Sequence, residues 1–114
     1  MKHGFYTPNF GYCGDPGNLV ELAVECERAG WDGFFIWDHL QFPEMEPAAD
    51  PWVALSAIAS HTKTISLGPM ITPLPRREVV KLAREALTLD PVSYTHLRAH
   101  ETKEEISYAV FCWK

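Results

Sequence analysis

Gly33-Phe34-Phe35-Ile36-Trp37-Asp38-His39 is the stretch that decides the fold. Alternation of apolar and polar residues would mark a strand with one wet face. An unbroken apolar run closed by polar residues marks a strand covered on both faces, as in parallel sheets. Just upstream, Asp15-Pro16 reads as a helix start, a capping carboxylate followed by a residue whose missing N–H costs nothing in the first turn. Leu19, Leu22, Ala23 and Cys26 then fall on one face, Glu21, Glu25 and Arg28 face water, and Gly30 stops the helix after about Ala29. His3 to Thr7, bounded by Pro8, Asn9 and Gly11, reads as the first strand. Downstream, Leu40 to Ala49 carries Pro43 and Pro47 and reads as a loop. Asp50-Pro51 repeats the helix-start device, with Trp52, Leu55, Ile58 and Ala59 as the next apolar face.

Thr64 to Leu67 is expected to form strand three, Gly68 to Pro75 a turn-rich exit, and Arg77 to Leu89 a third helix with Leu82, Ala83, Ala86 and Leu87 inward. Successive βα units imply parallel strands with right-handed crossovers, in an open sheet or a barrel. No GxGxxG or GxxxxGK[ST] follows strand one, so the nucleotide-binding open sheets lose their usual signature. The expected fold is α/β, the first three βα units of a (β/α)8 TIM-type barrel, truncated. Active-site groups then sit at the C-terminal strand ends: Thr7 to Phe10, Asp38-His39, and Met70 to Thr72.

Composition bounds the function. The chain has 114 residues, 46% hydrophobic and 12% aromatic, and a net charge of −5. That apolar content suits a packed domain and not a disordered segment. Charge is spread without a basic stripe, which weighs against nucleic acid or an anionic membrane as partner. Cys13 and Cys26 show no CxxC spacing and are expected to be reduced thiols. No run approaches the roughly 18 apolar residues of a transmembrane span, and MKHGFYTPNF lacks a signal-peptide core, so a cytoplasmic location is expected.

His39 leads the catalytic candidates on position. As a histidine it could serve as general acid or base or donate a hydrogen bond to a cofactor, against the alternative of a strand cap without chemistry. Asp38 could orient a partner or bind a ligand hydroxyl or ring N–H, or remain a solvated carboxylate. Adjacent strand residues point to opposite sides, so the two make a poor chelating pair and no metal site is expected. Phe10, Trp37 and Phe42 could wall a flat aromatic ligand or simply pack. Arg76 and Arg77 either reach a phosphate or carboxylate or form a solvated face. His3 and His61 receive no role.

The segments GFYTPNFG, NLVELAVECERAGWDGFFIWDHL, ADPWVALSAIASHTKTISLGPMITPLPRR and KLAREALTLD, spanning Gly4 to Asp90, resemble the luciferase-like monooxygenase family of flavin- or deazaflavin-dependent barrel oxidoreductases. AGWDGFFIWDHL and LGPMITPLPRR are the specific parts. The resemblance implies reduced flavin across the barrel mouth, with His39 at its reactive face and Asp38 at the position that contacts the cofactor in deazaflavin-using members. It also implies a cis non-proline peptide bond behind the ring at Met70-Ile71, with Thr72 directed toward the ring.

Some deazaflavin-dependent members carry tryptophan four residues after the histidine. Pro43 stands there in this chain and weighs against their protonated-substrate mechanism. The resemblance implies a monooxygenase using reduced FMN and dioxygen on a small organic substrate, with a separate flavin reductase as a possible partner and a homo-oligomeric parent. The alternatives are a dehydrogenase transferring hydride with coenzyme F420, and a flavin-binding protein of the same fold without catalysis.

Residues 1–90 read as the N-terminal part of this barrel domain. Residues 91–114 read as a non-native tail, because Val92 to Thr102 and Ile106 to Cys112 match one reading frame of a translated sequencing adapter, and such segments are set aside in reading a fold. Where family members continue into a Leu-Ser-Gly-Gly-Arg-like turn, this sequence enters the adapter-like run. With strand three as a free edge, the chain as written is expected to aggregate or stay partly folded, an expectation that a soluble monomer with a cooperative thermal transition would overturn.

Overall fold

The computed structural model describes residues 1–40 and 46–93. Phe42, Pro43 and residues 94–114, with most of the run that begins at Val92, lie outside them.

Asp15 and Asp50 start helices as their Asp-Pro pairs imply. The Asp15 carboxylate accepts from Gly17 N at 2.8 Å, and Asp50 accepts from Trp52 N and Val53 N, both at 3.0 Å. Each cap satisfies amide donors that have no partner inside the helix and stabilises it by about 1 kcal/mol. Helix α1 spans Pro16–Arg28 and α2 spans Pro51–Ala59. At the end of α1, Gly30 adopts φ 83°, and Gly30 N and Trp31 N return to the carbonyls of Glu27 and Cys26 at 3.1 and 3.0 Å. This left-handed termination favours glycine, and it aims the chain directly into the next strand.

Strands β1 (Gly4–Thr7), β2 (Gly33–Ile36) and β3 (Ser66–Pro69) form a parallel sheet in the order β1-β2-β3. Register aligns Gly4 with Gly33 and Ser66 at one end, and Thr7 with Ile36 and Pro69 at the other. All of β2 is buried. Phe34 and Ile36 join the core shared with Leu19, Ala23, Leu55, Ile58 and Leu67. Phe35 has the opposite parity and lies level with Tyr6 and Gly68 on the other face. Each large apolar side chain taken fully out of water stabilises the fold by about 1.5–3 kcal/mol.

Strand three begins two residues later than the sequence suggests. Lys63 N, Thr64 N and Ile65 N all donate to Glu27 Oε1, at 2.8, 2.6 and 3.0 Å. Those amides are held by a side chain of α1, and the ladder starts at Ser66.

Helix α3 (Val79–Ser93) also differs from expectation. It starts after Glu78, whose carboxylate caps Val80 N and Lys81 N at 3.1 and 2.6 Å. Leu82 and Ala86 pack against the core and Leu89 is buried in it, while Ala83 is exposed and Leu87 is 74% exposed. Two apolar stripes, 79/83/87 and 82/86/89, satisfy helical periodicity on this segment. Only the position of α2 selects between them.

Candidate active site at the strand ends

The main-chain ladder between β1 and β2 ends just past Thr7, because the Asn9 carbonyl that would come next accepts from Ala49 N instead. The strand therefore gives way to a loop just where β2 runs on: Trp37 N still donates to Thr7 O at 3.0 Å. The next part of the pairing passes to a side chain. Asn9, fully buried, accepts from His39 N through Oδ1 at 3.2 Å and donates through Nδ2 to His39 O at 2.8 Å. Its Nδ2 also donates to Ala49 O at 2.8 Å, and its own carbonyl accepts from Ala49 N at 2.8 Å. Phe10 and Ala48 form an antiparallel bridge beside these bonds. Gly14 lets the same returning segment approach, since a Cβ there would stand 2.1 Å from the Pro47 carbonyl oxygen.

The His39 ring is thus carried on a clamped backbone while the residue itself is exposed. Its ring centroid lies 5.1 Å from that of Trp37 and 6.0 Å from that of Phe10, and Trp37 in turn lies 5.7 Å from Phe10 and 5.6 Å from Tyr6. Phe10 and Trp37, expected as apolar walls, are brought together with His39.

Asp38 points elsewhere. It is 5% exposed, and its Oδ2 accepts from Arg77 Nη2 at 2.7 Å and Nε at 3.1 Å. Arg76 Nη2 donates to the Asp38 carbonyl at 2.6 Å, and Arg77 also approaches Asp50 Oδ2 at 3.8 Å. The two arginines therefore turn to Asp38 of their own chain, which is neither the ligand anion nor the solvated face that the sequence left open. The ion pair ties the end of β2 to the N-terminus of α2 and the approach to α3.

The third strand end carries a cis peptide bond between Met70 and Ile71, at the position to which the family resemblance assigns one. Met70 N donates to Ile36 O at 2.7 Å, and Met70 O accepts from the Tyr6 hydroxyl at 3.0 Å. Burial pushes the Tyr6 hydroxyl above its ordinary pKa. The Trp37 indole N–H, near it but outside hydrogen-bond geometry with any described group, offsets part of that shift. Thr72 Oγ1 is buried and has no hydrogen-bond partner among the described residues.

A groove of about 540 Å³ runs between α2 and α3, lined by Trp52, Arg77, Lys81, Arg84 and Leu89 among others. It contains neither His39 nor Met70–Thr72. Among the described residues no three His, Cys, Asp or Glu side chains converge as a metal ion would require, and no helix is long and apolar enough to cross a membrane.

Reading the sequence missed Asn9 as a structural partner of His39 and missed the Asp38–Arg77 pair. The first joins residues 30 positions apart and left no local signal. The second joins residues 39 positions apart and left no local trace.

Comparison with known proteins gives a consistent picture. An F420-dependent glucose-6-phosphate dehydrogenase of Nakamurella multipartita is 37% identical over 79 residues, which cover 65% of this chain and 23% of that protein. An F420-dependent secondary alcohol dehydrogenase, solved with an F420-acetone adduct, superposes with a TM-score of 0.74 at 23% identity over 87% of this chain and 31% of that one. The oxygenating constituent of 3,6-diketocamphane monooxygenase from Pseudomonas putida, a type II Baeyer-Villiger monooxygenase solved with FMN, superposes with a TM-score of 0.71 at 22% identity, over 87% and 28% respectively. The chain thus spans 23% to 31% of the length of these relatives. The structural likeness shows the fold, in which the three βα units are the first part of a (β/α)8 barrel. The model of the luciferase-like monooxygenase family matches residues 1–94, and the chain belongs to that family.

Proposed function

We propose that these residues form the His39 side of a flavin-type oxidoreductase site, with reduced FMN and dioxygen acting on a small organic substrate. The observation that carries the reading is an exposed imidazole on a clamped backbone at the C-terminal end of β2, tilted against Trp37 and Phe10. The residues fit a flat, hydrogen-bonding ring. Trp37 and Phe10 supply apolar walls, His39 supplies a group able to hold or move a proton, and the buried Thr72 Oγ1 is without a partner beside the cis bond. Met70, Ile71 and Thr72 would back the ring. When bound, such a group supplies the redox chemistry, while the protein orients it and excludes competing reactions.

Hydride transfer with coenzyme F420 is the second reading. The 37% identity to an F420-dependent dehydrogenase favours it. Asp38, at the position that contacts the cofactor in deazaflavin-using members, would have to leave Arg77 or act through that pair. Pro43, in place of the tryptophan found in some of those members, favours FMN.

Anaerobic titration with reduced FMN and with F420, followed by oxygen uptake after mixing with air, tests both. Binding of reduced FMN, with oxygen uptake abolished by His39→Ala, is the expected result. Binding of F420 alone selects the dehydrogenase. Binding of neither overturns the proposal. Cofactor binding with cellular function unchanged by His39→Ala identifies a non-catalytic flavin-binding protein.

A further inference from the structure

We infer that Asn9 is the positioning residue of His39, an inference that deepens the proposed function and rests on it for its catalytic meaning. In a parallel sheet, a strand residue two places beyond Trp37 would donate to a main-chain carbonyl of the neighbouring strand. The Asn9 carbonyl is engaged instead by Ala49 N. The Asn9 side-chain amide stands in for the missing peptide group, taking both the N–H and the C=O of His39.

This role needs one acceptor and two donors in a fully buried space, because Nδ2 serves His39 O and Ala49 O at once. Asparagine supplies that set at this size. Aspartate supplies acceptors alone, and leucine supplies nothing. The same amide therefore fixes the His39 main chain and the segment that returns at Ala48–Ala49. The exposed imidazole, which among the described residues makes ring contacts at 5.1 and 6.0 Å, depends on that backbone for its direction.

The test uses the full chain. In the wild type, Asn9 Nδ2 protons should exchange slowly and show hydrogen-bond scalar coupling to the His39 carbonyl carbon. The His39 ring protons should be displaced upfield by Trp37. Asn9→Asp should return those ring protons toward solvent-like shifts while His3, His61 and core Phe34 resonances hold, and Asn18→Asp, an exposed control, should leave them in place. Turnover with reduced flavin should fall by ~10²-fold in Asn9→Asp, as expected of a displaced catalytic group. In the His39→Ala background, adding Asn9→Asp should lower turnover no further, a non-additivity that a merely structural loss would not produce.

Unchanged His39 ring shifts in folded Asn9→Asp overturn the inference. If that variant does not fold, rapid exchange of the wild-type Asn9 amide overturns it, and slow exchange with the coupling supports it. Full turnover in His39→Ala, with the NMR displacement intact, removes the functional reading and leaves the positioning in place.

Discussion

The two ends of the sheet solve the same problem differently. At the N-terminal ends of the strands, polar groups are matched. Glu27 Oε1 collects Lys63 N, Thr64 N, Thr64 Oγ1 and Ile65 N, while Asp32 takes His3 N and His3 O takes Asp32 N and Gly33 N. At the C-terminal ends, Thr72 Oγ1 is left without a partner, a cis bond turns the chain, and an imidazole is exposed on a clamped backbone. Barrel enzymes place stability at the first end and chemistry at the second. On the proposed reading, the unmet polar valence at the second end is room for a ligand, whereas among the described residues no buried side-chain polar atom at the first end lacks a partner.

The largest way to break that contrast is to strip the buried ion pair. Arg77→Met leaves the Asp38 carboxylate, 2% exposed in its side chain, without its guanidinium. Removing one partner of a buried pair costs about 3–5 kcal/mol, read as a lower urea midpoint by tryptophan fluorescence. Asp38→Asn together with Arg77→Met should recover most of the loss. A neutral Arg77→Met would show that the pair is not structural.

Next comes the close approach at Gly14. Gly14→Ala puts a methyl against the Pro47 carbonyl and should cost about 1–3 kcal/mol, with faster amide exchange confined to Ala49 and its neighbours. If exchange accelerates at the Glu27 end as well, the two ends do not behave as separate units.

Glu27→Ala should cost about 1–2 kcal/mol through the amides that it leaves unmatched. It also carries a pH signature. Burial raises the Glu27 pKa, but the hydrogen bonds from Thr64, Ile65 and Lys63 outweigh burial and hold it below its ordinary value. The stability it contributes is therefore present above the ordinary glutamate pKa and is lost as pH falls through the lowered one. Unfolding midpoints measured through this acid range should converge between wild type and Glu27→Ala.

The smallest stability effect belongs to the residue with the largest functional one. His39→Ala, at an exposed position, should shift stability by no more than about 0.5 kcal/mol. Loss of a general acid or base costs typically 10²–10⁴-fold in turnover. A large stability loss from His39→Ala would reassign it to structure and erase the contrast between the two ends.

Much of the architecture was legible locally. Asp15-Pro16 and Asp50-Pro51 name their own helix starts, Gly30 its stop, and the apolar run at Gly33 its buried parallel strand. What failed failed for lack of local information. Strand three was placed at Thr64 because the residues are β-compatible there, yet Glu27 of a distant helix had already claimed the amides. The inward face of α3 was misjudged at Ala83 and Leu87 because two apolar stripes compete on that helix. At the site, His39, Trp37 and Phe10 were visible from their place at strand ends, but Asn9 read as a loop residue and Arg77 as either an anion-binding or a solvated side chain.

The sequence by itself determined where α1 and α2 begin and where α1 ends, which strand is buried on both faces, and which residues reach the strand ends, because capping, periodicity and proline chemistry act over a few residues. Tertiary structure alone decided that Asn9 completes the ladder to His39, that Arg77 takes Asp38, and that Glu27 takes the approach to β3. Those choices match donors and acceptors about 30 to 39 positions apart, and a hydrogen bond depends on where its two atoms meet in space and not on their separation along the chain.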